Sequence, residues 1–141
     1  MSILGLDLGQ RRIGVAIADA SALGVRPLAT LVRTTPSADL KALRTMVADW
    51  GVGHIVLGLP LNMDGSEGSA ARRAREFARQ LGEATKVAVD LYDERLTSFE
   101  AKSRLKDFPR KRGERKLLID QIAATLILEG WLSGNPPDLD C

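Results

Sequence analysis

The chain has 141 residues, of which 45% are hydrophobic, and its formal net charge is only +2. A chain of this length buries one core, so we expect a single domain over residues 1–141. No apolar run is long enough to cross a bilayer and no leader-like segment precedes the first strand, which predicts a cytoplasmic protein without membrane contact. The one cysteine, Cys141, and the one histidine, His54, argue against disulfides, cysteine-rich zinc sites and Ser-His-Asp catalysis. The available titratable chemistry is that of carboxylates.

The first nineteen residues predict two strands joined by a tight turn around Gln10. Side chains alternate along a strand, which gives the first strand one face with Leu4, Leu6 and Leu8 and another with Ile3, Gly5 and Asp7. Asp7 therefore lies in an apolar strand, where an ionised carboxylate needs a metal ion, a cation or hydrogen-bond donors to compensate its lost hydration. The alternative is that Asp7 only closes the strand before a turn at Gly9.

A third strand is predicted over residues 26–33, where Pro27 indicates an edge strand or a strand start. Ser37 is then the predicted N-cap of a helix that ends at Gly51. The apolar stripe of this helix has helical spacing, so we expect it to be core throughout; it consists of Leu40, Leu43, Val47 and Trp50.

Residues 54–60 form a continuous apolar run, typical of a central strand that is covered on both faces. His54 precedes this run, and we interpret it as a strand-entry or surface residue rather than a base or ligand. The loop over 60–69 is long for a strand-to-helix connection and lies where open sheets bind ligands, which favours a functional role over a plain link. The helix predicted at 70–81 has an apolar face and a basic face formed by Arg72, Arg73, Arg75 and Arg79.

Two more carboxylates are candidate functional residues: Glu94 at the end of a strand and Asp120 on an apolar helix. The last predicted strand, residues 86–95, ends in the carboxylates Asp93 and Glu94, and Thr97 begins a capping box for the helix that follows. The final helix, about 114–132, is apolar nearly all round and must lie against the sheet. Asp120 shares a face of this helix with Leu117, Ala123, Ala124 and Ile127. The plainer interpretations are a solvated strand end for Glu94 and a backbone or arginine partner for Asp120.

Asp7, Glu94 and Asp120 come from separate elements that can converge on one point. Like charges so close raise one another's pKa unless divalent cations lie between them, and oxygen ligands without histidine or thiolate suit Mg²⁺ or Mn²⁺. Two such ions, about 3.5–4 Å apart, clamp both oxygens of an in-line phosphodiester displacement. One-metal and two-metal schemes both stay open, with Asp64 or Asp93 as the further ligand.

Positive charge is concentrated between residues 102 and 116, which hold eight basic and two acidic side chains. A block of this density indicates contact with a polyanion, and the alternative is a solvated surface loop.

Several stretches together resemble the YqgF/RuvX family over nearly the whole chain. They are Asp7-Leu8-Gly9 with Arg12-Ile13-Gly14-Val15-Ala16, the stretch 58–65, the stretch 93–98, and Asp120 with Ala123, Ala124, Ile127 and Leu128. The resemblance implies an α/β, RNase H-like fold, with a five-stranded mixed sheet made of an antiparallel hairpin portion plus parallel strands, and helices on both faces. Gly5 and Gly9 are expected to leave room for metal and phosphate around Asp7.

The family resemblance also implies a function: a metal-dependent nuclease, a hydrolase that processes pre-16S rRNA in ribosome biogenesis. It implies Asp7, Glu94 and Asp120 as the catalytic, metal-binding acids, with Mg²⁺ or Mn²⁺ as cofactor. The candidate nucleic-acid contacts are Arg11, Arg12, Asn62, Arg95, Thr97, Lys111, Arg112 and Lys116. Expected partners are pre-rRNA or structured RNA or DNA, and a pre-ribosomal particle, with the protein a monomer or homodimer.

Three other functions fit parts of the sequence. One is a Holliday junction resolvase that acts on DNA as a dimer, and another is a non-catalytic ribosome-assembly or nucleic-acid-binding module. The Asp-Leu-Gly stretch at 7–9 also resembles the phosphate loop of actin-like sugar kinases and ATPases. Those proteins need two such lobes, and the sequence has no second copy.

Overall fold

The computed structural model describes residues 1–19, 24–95 and 112–134, with the side chains of 112–117 outside the described part. The strands are β1 Ser2–Leu8, β2 Arg12–Asp19, β3 Val25–Val32, β4 Val52–Leu59 and β5 Ala88–Asp93. The helices are α1 Pro36–Trp50, α2 Ser69–Thr85 and α3 Arg112–Gly134. In this described part, no helix is both long enough and apolar enough to span a membrane.

The five strands form one sheet in the order β3-β2-β1-β4-β5. β1 pairs antiparallel with β2, and β2 antiparallel with β3, whereas the β1–β4 and β4–β5 pairs are parallel. The predicted mixed sheet is therefore confirmed. Because β1 is the central strand, Asp7 is flanked by β2 on one side and by β4 on the other.

Helices cover both faces of the sheet, as predicted. On one face, α1 and α2 enclose the larger core, whose fully buried members include Leu4, Leu6, Leu43, Ile55, Leu57 and Leu81. On the other face, α3 packs Ala124, Ile127 and Leu128 against Ile3, Ala16 and Val56. The alternation predicted for β1 is confirmed, since Leu4 and Leu6 face α1 and α2 while Ile3 faces α3. Asp7 lies on the α3 face with Ile3 and Gly5.

The start of α1 differs from the prediction. Thr35, not Ser37, is the N-cap, and its hydroxyl accepts a hydrogen bond from the Ala38 N–H at 3.1 Å. Pro36 fits the first helical position because its fixed φ suits a helix and its missing N–H has no partner to lose there. At the other end, Trp50 is 42% exposed instead of core, with the Arg26 guanidinium 5.3 Å from its ring centroid.

The ends of α2 and β5 are also displaced from the prediction. α2 continues to Thr85, and Lys86 then adopts a left-handed conformation with φ 61°, its N–H donating to the Gly82 carbonyl. This reversal delays the strand to Ala88, two residues after the predicted start. The capping box at Thr97 and the helix predicted after it lie outside the described residues.

His54 has a packing role. Its ring stacks on Trp131 of α3, with centroids 4.9 Å apart, and its Nε2 lies 3.0 Å from the Asp90 carboxylate. The sequence interpretation of His54 as a strand-entry residue agrees with this position near the start of β4.

Candidate active site

Asp7 and Glu94 meet at the carboxyl end of the parallel part of the sheet. Asp7 lies near the end of β1, and Glu94 directly follows β5, where its N–H donates to the Leu59 carbonyl at 3.3 Å. The two side-chain carboxyls are hydrogen-bonded to each other. β4 lies between β1 and β5, and these three parallel strands end at the same edge of the sheet. Asp7 and Glu94 therefore meet across the end of β4.

Burial dominates the electrostatics of this carboxyl pair. Burial raises the pKa of Glu94 to about 8, with a further contribution from the nearby charge of Asp7. Burial also raises the pKa of Asp7, to about 6. The hydrogen bond from Glu94 lowers this pKa, and the charge of Asp120 raises it. Glu94 therefore keeps a proton near neutral pH and donates it to the Asp7 carboxylate.

Two glycines on the neighbouring strands make room for the acids. Gly14 of β2 pairs with Asp7, and a Cβ built on Gly14 would collide with the backbone carbonyl of Asp120. On the opposite side, Gly58 follows the Leu57 that pairs with Leu6, and a Cβ there would collide with the Glu94 carboxylate. The site formed by Asp7, Glu94 and Asp120, called the recess below, thus depends on two missing side chains.

The glycines expected to provide this room have other roles. A Cβ on Gly5 would collide with Leu128 and with the Ala124 carbonyl, so Gly5 allows α3 to approach the sheet closely. Gly9 closes the β1–β2 turn, and its N–H donates to the Arg12 carbonyl at 2.9 Å. The expectation that these two glycines leave space for metal and phosphate was wrong for Gly5, whose space is filled by α3.

Asp120 lies beside the carboxyl pair but faces a cation. Its Oδ2 is 2.6 Å from Nε of Arg12, the first residue of β2. The Asp120 side chain is 18% exposed, and its charge reaches Asp7, whose pKa it raises. The neighbouring Gln121 donates to the Thr30 hydroxyl of β3 at 2.9 Å, which also holds this turn of α3 to the sheet.

The loop between β4 and α2 is ordered by its own polar side chains. The Asn62 amide donates to the Ser66 hydroxyl at 3.0 Å, and the Asn62 N–H donates to the Ser66 carbonyl. Arg95 reaches this loop from the end of β5, with Nη1 3.4 Å from the Met63 carbonyl. Its Nε also donates to Asp93 at 2.9 Å. Asn62 and Arg95 are therefore part of one exposed rim.

The two carboxylates considered as further metal ligands have local partners. Asp64 accepts bonds from both the N–H and the hydroxyl of Ser66, which lower the pKa of Asp64. Asp93 accepts bonds from Arg95, which lower the pKa of Asp93. In the described parts of the chain, no three His, Cys, Asp or Glu side chains are already grouped as metal ligands.

Only some of the remaining candidate nucleic-acid contacts lie among the described residues. Arg11 is exposed in the β1–β2 turn, and its carbonyl accepts the Arg33 N–H at 2.8 Å. Arg12 is bound to Asp120. Thr97 and Lys111 fall outside the described residues, as does most of the basic block; Arg112 and Lys116 have a described helical backbone without described side chains.

The donor set of the carboxyl pair fits a hard divalent cation. The ligand atoms are carboxylate oxygens, which suit Mg²⁺ and Mn²⁺. Two partly buried carboxyls that share a proton would be stabilised as anions by a bound cation. Asp7 and Glu94 are the residues that could hold the ion, with Asp120 adjacent to them.

Comparison with solved structures defines the class of fold. RuvC of Thermus thermophilus matches with a TM-score of 0.60 at 14% identity, covering 95% of this chain and 96% of that one. The fowlpox virus Holliday junction resolvase in complex with junction DNA matches with a TM-score of 0.56 at 10% identity, covering 97% and 100%. The fold is thus RNase H-like, of the kind found in RuvC-type resolvases.

The family follows from closer relatives. Residues 1–134 match the family model described as "RuvX: Holliday junction resolvase". A protein of Anaeromyxobacter sp. (strain Fw109-5) is 50% identical over 135 residues, which cover 96% of this chain and 98% of the relative. A Myxococcus xanthus (strain DK1622) protein is 47% identical over 141 residues, covering 99% and 93%. Both bear the name "Putative pre-16S rRNA nuclease". The chain belongs to the RuvX family, which confirms the resemblance drawn from its motifs.

Proposed function

We propose that this protein is a divalent-metal-dependent nuclease that hydrolyses phosphodiester bonds of pre-16S rRNA during ribosome biogenesis. The observation that carries the proposal is the hydrogen-bonded pair of partly buried carboxyls, Asp7 and Glu94, beside two glycines that let the acids approach one another. The substrate is taken from the relatives at 47–50% identity, which are named for pre-16S rRNA cleavage.

Asp7 and Glu94 would hold Mg²⁺ or Mn²⁺, with Asp120 as a third acid. When bound, a divalent ion polarises a phosphoryl oxygen and lowers the pKa of a bound water toward neutrality. Glu94 would give up its proton where the pair holds the cation, and the strand ends that carry Asp7 and Glu94 would keep both carboxylates in position.

Basic and polar side chains around the recess would hold the nucleic-acid backbone. Arg95, fixed by Asp93 and the Met63 carbonyl, presents a positively charged rim beside Glu94. Arginine forms bidentate bonds with phosphate, which suits it to orient a strand across the acids. We propose the same backbone-binding role for Arg11, Arg12, Asn62, Thr97, Lys111, Arg112 and Lys116. Affinity that depends on such contacts falls steeply with salt.

The test is cleavage of an RNA that carries the precursor extension of 16S rRNA, with Mn²⁺ or Mg²⁺ and with EDTA. We expect cleavage only with metal, and we expect Asp7→Asn to abolish it while circular dichroism shows an unchanged fold. Asp49→Asn is the matched control, because Asp49 is an exposed carboxylate on α1, on the opposite face of the sheet. Wild-type cleavage by Asp7→Asn would refute the proposed role of Asp7.

A second candidate function is resolution of four-way DNA junctions. The description of the matched family model favours it, and so does the RuvC-like fold. A resolvase makes paired cuts and needs two active sites, so this candidate requires a homodimer. Cleavage of a four-way junction and of single-stranded RNA, compared at equal salt, separates the two functions. If calorimetry finds no divalent ion bound to the wild type, a non-catalytic binding module is favoured over both.

A further inference from the structure

The ion pair between Arg12 and Asp120 joins the first residue of β2 to the middle of α3. The two residues are 108 positions apart, and the distance of 2.6 Å between Nε and Oδ2 is that of a short charge-assisted hydrogen bond. Both side chains are largely shielded from water, with exposures of 30% for Arg12 and 18% for Asp120. Such a pair is stronger than an ordinary surface ion pair, because solvent screens it less.

The ion pair lies next to the carboxyl pair. Gly14 is directly opposite Asp7 in the sheet, and the Asp120 backbone lies over Gly14. The charge of Asp120 also reaches Asp7. A third acid is therefore within reach of an ion held by Asp7 and Glu94, yet its carboxylate is bound to a guanidinium. Oδ2 has to leave Arg12 before both oxygens of Asp120 can serve as ligands.

We propose that Arg12 is a positioning residue that withholds Asp120 from the metal site until nucleic acid arrives. Arg12 releases Asp120 when a backbone phosphate takes its guanidinium, and the freed carboxylate then completes the ligand set. The exchange replaces one arginine–oxyanion bond by another, so its cost to Arg12 is small. This inference rests on the proposed function and adds a coupling between metal and substrate.

The coupling works in both directions. If nucleic acid increases the affinity for the divalent ion, the ion increases the affinity for nucleic acid by the same factor. The free protein would then hold metal weakly and assemble the full ligand set only on a bound strand. A purely structural role for the pair, as a tether of α3, predicts no such coupling. The bond from Gln121 to Thr30 provides an uncharged tether at the same turn for comparison.

The experiment is a calorimetric titration of the full chain with Mn²⁺ in the absence of nucleic acid. Arg12→Gln should bind Mn²⁺ about tenfold more tightly than the wild type, a typical coupling. Arg11→Gln is the matched control: it removes the same charge from the same turn, but Arg11 is exposed. We expect the Mn²⁺ affinities of Arg11→Gln and Gln121→Ala to stay within about twofold of the wild-type affinity. Arg12→Lys keeps a cation for Asp120, so its Mn²⁺ affinity should be nearer the wild-type value than that of Arg12→Gln.

The outcomes separate this inference from the proposed function. If the wild type and Arg12→Gln both fail to bind Mn²⁺, the proposed metal-dependent function fails. If the wild type binds Mn²⁺ and Arg12→Gln binds it no more tightly than Arg11→Gln, only the inference is overturned; weaker binding by Arg12→Gln also overturns it and supports a tether. As a measurement that needs no variant, paramagnetic resonance of free Mn²⁺ should show tighter binding to the wild type with short single-stranded RNA than without it. Equal binding would contradict the inference.

Discussion

Replacing Glu94 by glutamine should stabilise the metal-free protein at neutral pH. Burial raises the pKa of Glu94 from an ordinary value of 4.5 to about 8. An acid whose pKa is raised by folding contributes stability that is fully present below the unfolded pKa and is lost as pH rises toward the folded pKa. The wild type should therefore weaken between pH 4.5 and pH 8.

The size of this effect follows from the same two values. Each pH unit between the unfolded and folded pKa costs about 1.4 kcal/mol, so wild-type stability falls by on the order of 3 kcal/mol between pH 4.5 and pH 7. Glutamine does not ionise, and its amide still donates to the Asp7 carboxylate. Glu94→Gln should thus lose much less stability over that interval. Asp7 adds a smaller loss of the same sign, because its pKa is also raised, to about 6.

Urea unfolding in EDTA at pH 5 and pH 7 measures this difference. Glu67→Gln is the control, because Glu67 is paired with Arg75, and that hydrogen bond lowers the pKa of Glu67. The stability that the Glu67–Arg75 pair contributes is lost only at more acidic pH, so it stays nearly constant between pH 5 and pH 7. Mn²⁺ should restore wild-type stability at pH 7 more than that of Glu94→Gln. Parallel pH profiles for the wild type and Glu94→Gln would refute the reasoning.

Other substitutions test the packing around the recess. Gly58→Ala should displace Glu94, abolish cleavage and cost about 1–3 kcal/mol of unfolding free energy, whereas Gly134→Ala, with open space around its Cβ, should change neither. Asp39 is buried and accepts bonds from the Thr34 N–H and the Arg33 side chain, so Asp39→Ala should lower stability by about 2–3 kcal/mol in urea unfolding. A loss under 1 kcal/mol would mean that water replaces those bonds.

Local pattern in the sequence was sufficient for the sheet and for the two acids at strand ends. The period of two along β1 put Asp7 on the opposite face from Leu4 and Leu6, and the structure has this arrangement. The acidic end of the last strand identified Glu94 as a residue at the edge where parallel strands end. The apolar middle of α3 predicted correctly that this helix packs on the sheet.

Features that depend on register were not predictable in the same way. Gly14 and Gly58 matter because they flank Asp7 across two strand pairs, and glycine carries no chemical signature of its own. Pairing the two strands residue by residue outward from the turn at Gly9 would have placed Gly14 opposite Asp7. The bond between Arg12 and Asp120 joins distant segments and has no local signal.

Errors at the helix ends have a different origin. Thr35 and Ser37 are both good N-caps, and the preference of proline for the first helical position is what selects Thr35. The stripe of α1 included Trp50 by spacing, but the last turn of α1 extends past the edge of the core.

The central position of β1 sets the order in which this molecule can be completed during synthesis. β2 follows β1 immediately and can pair with it as a hairpin, but the other edge of β1 stays open until α1 and then β4 have been made. Glu94 follows later, and Asp120 arrives on the last described helix. A nascent chain therefore carries Asp7 long before its partners, and no partly made chain that lacks α3 can bring the three acids together.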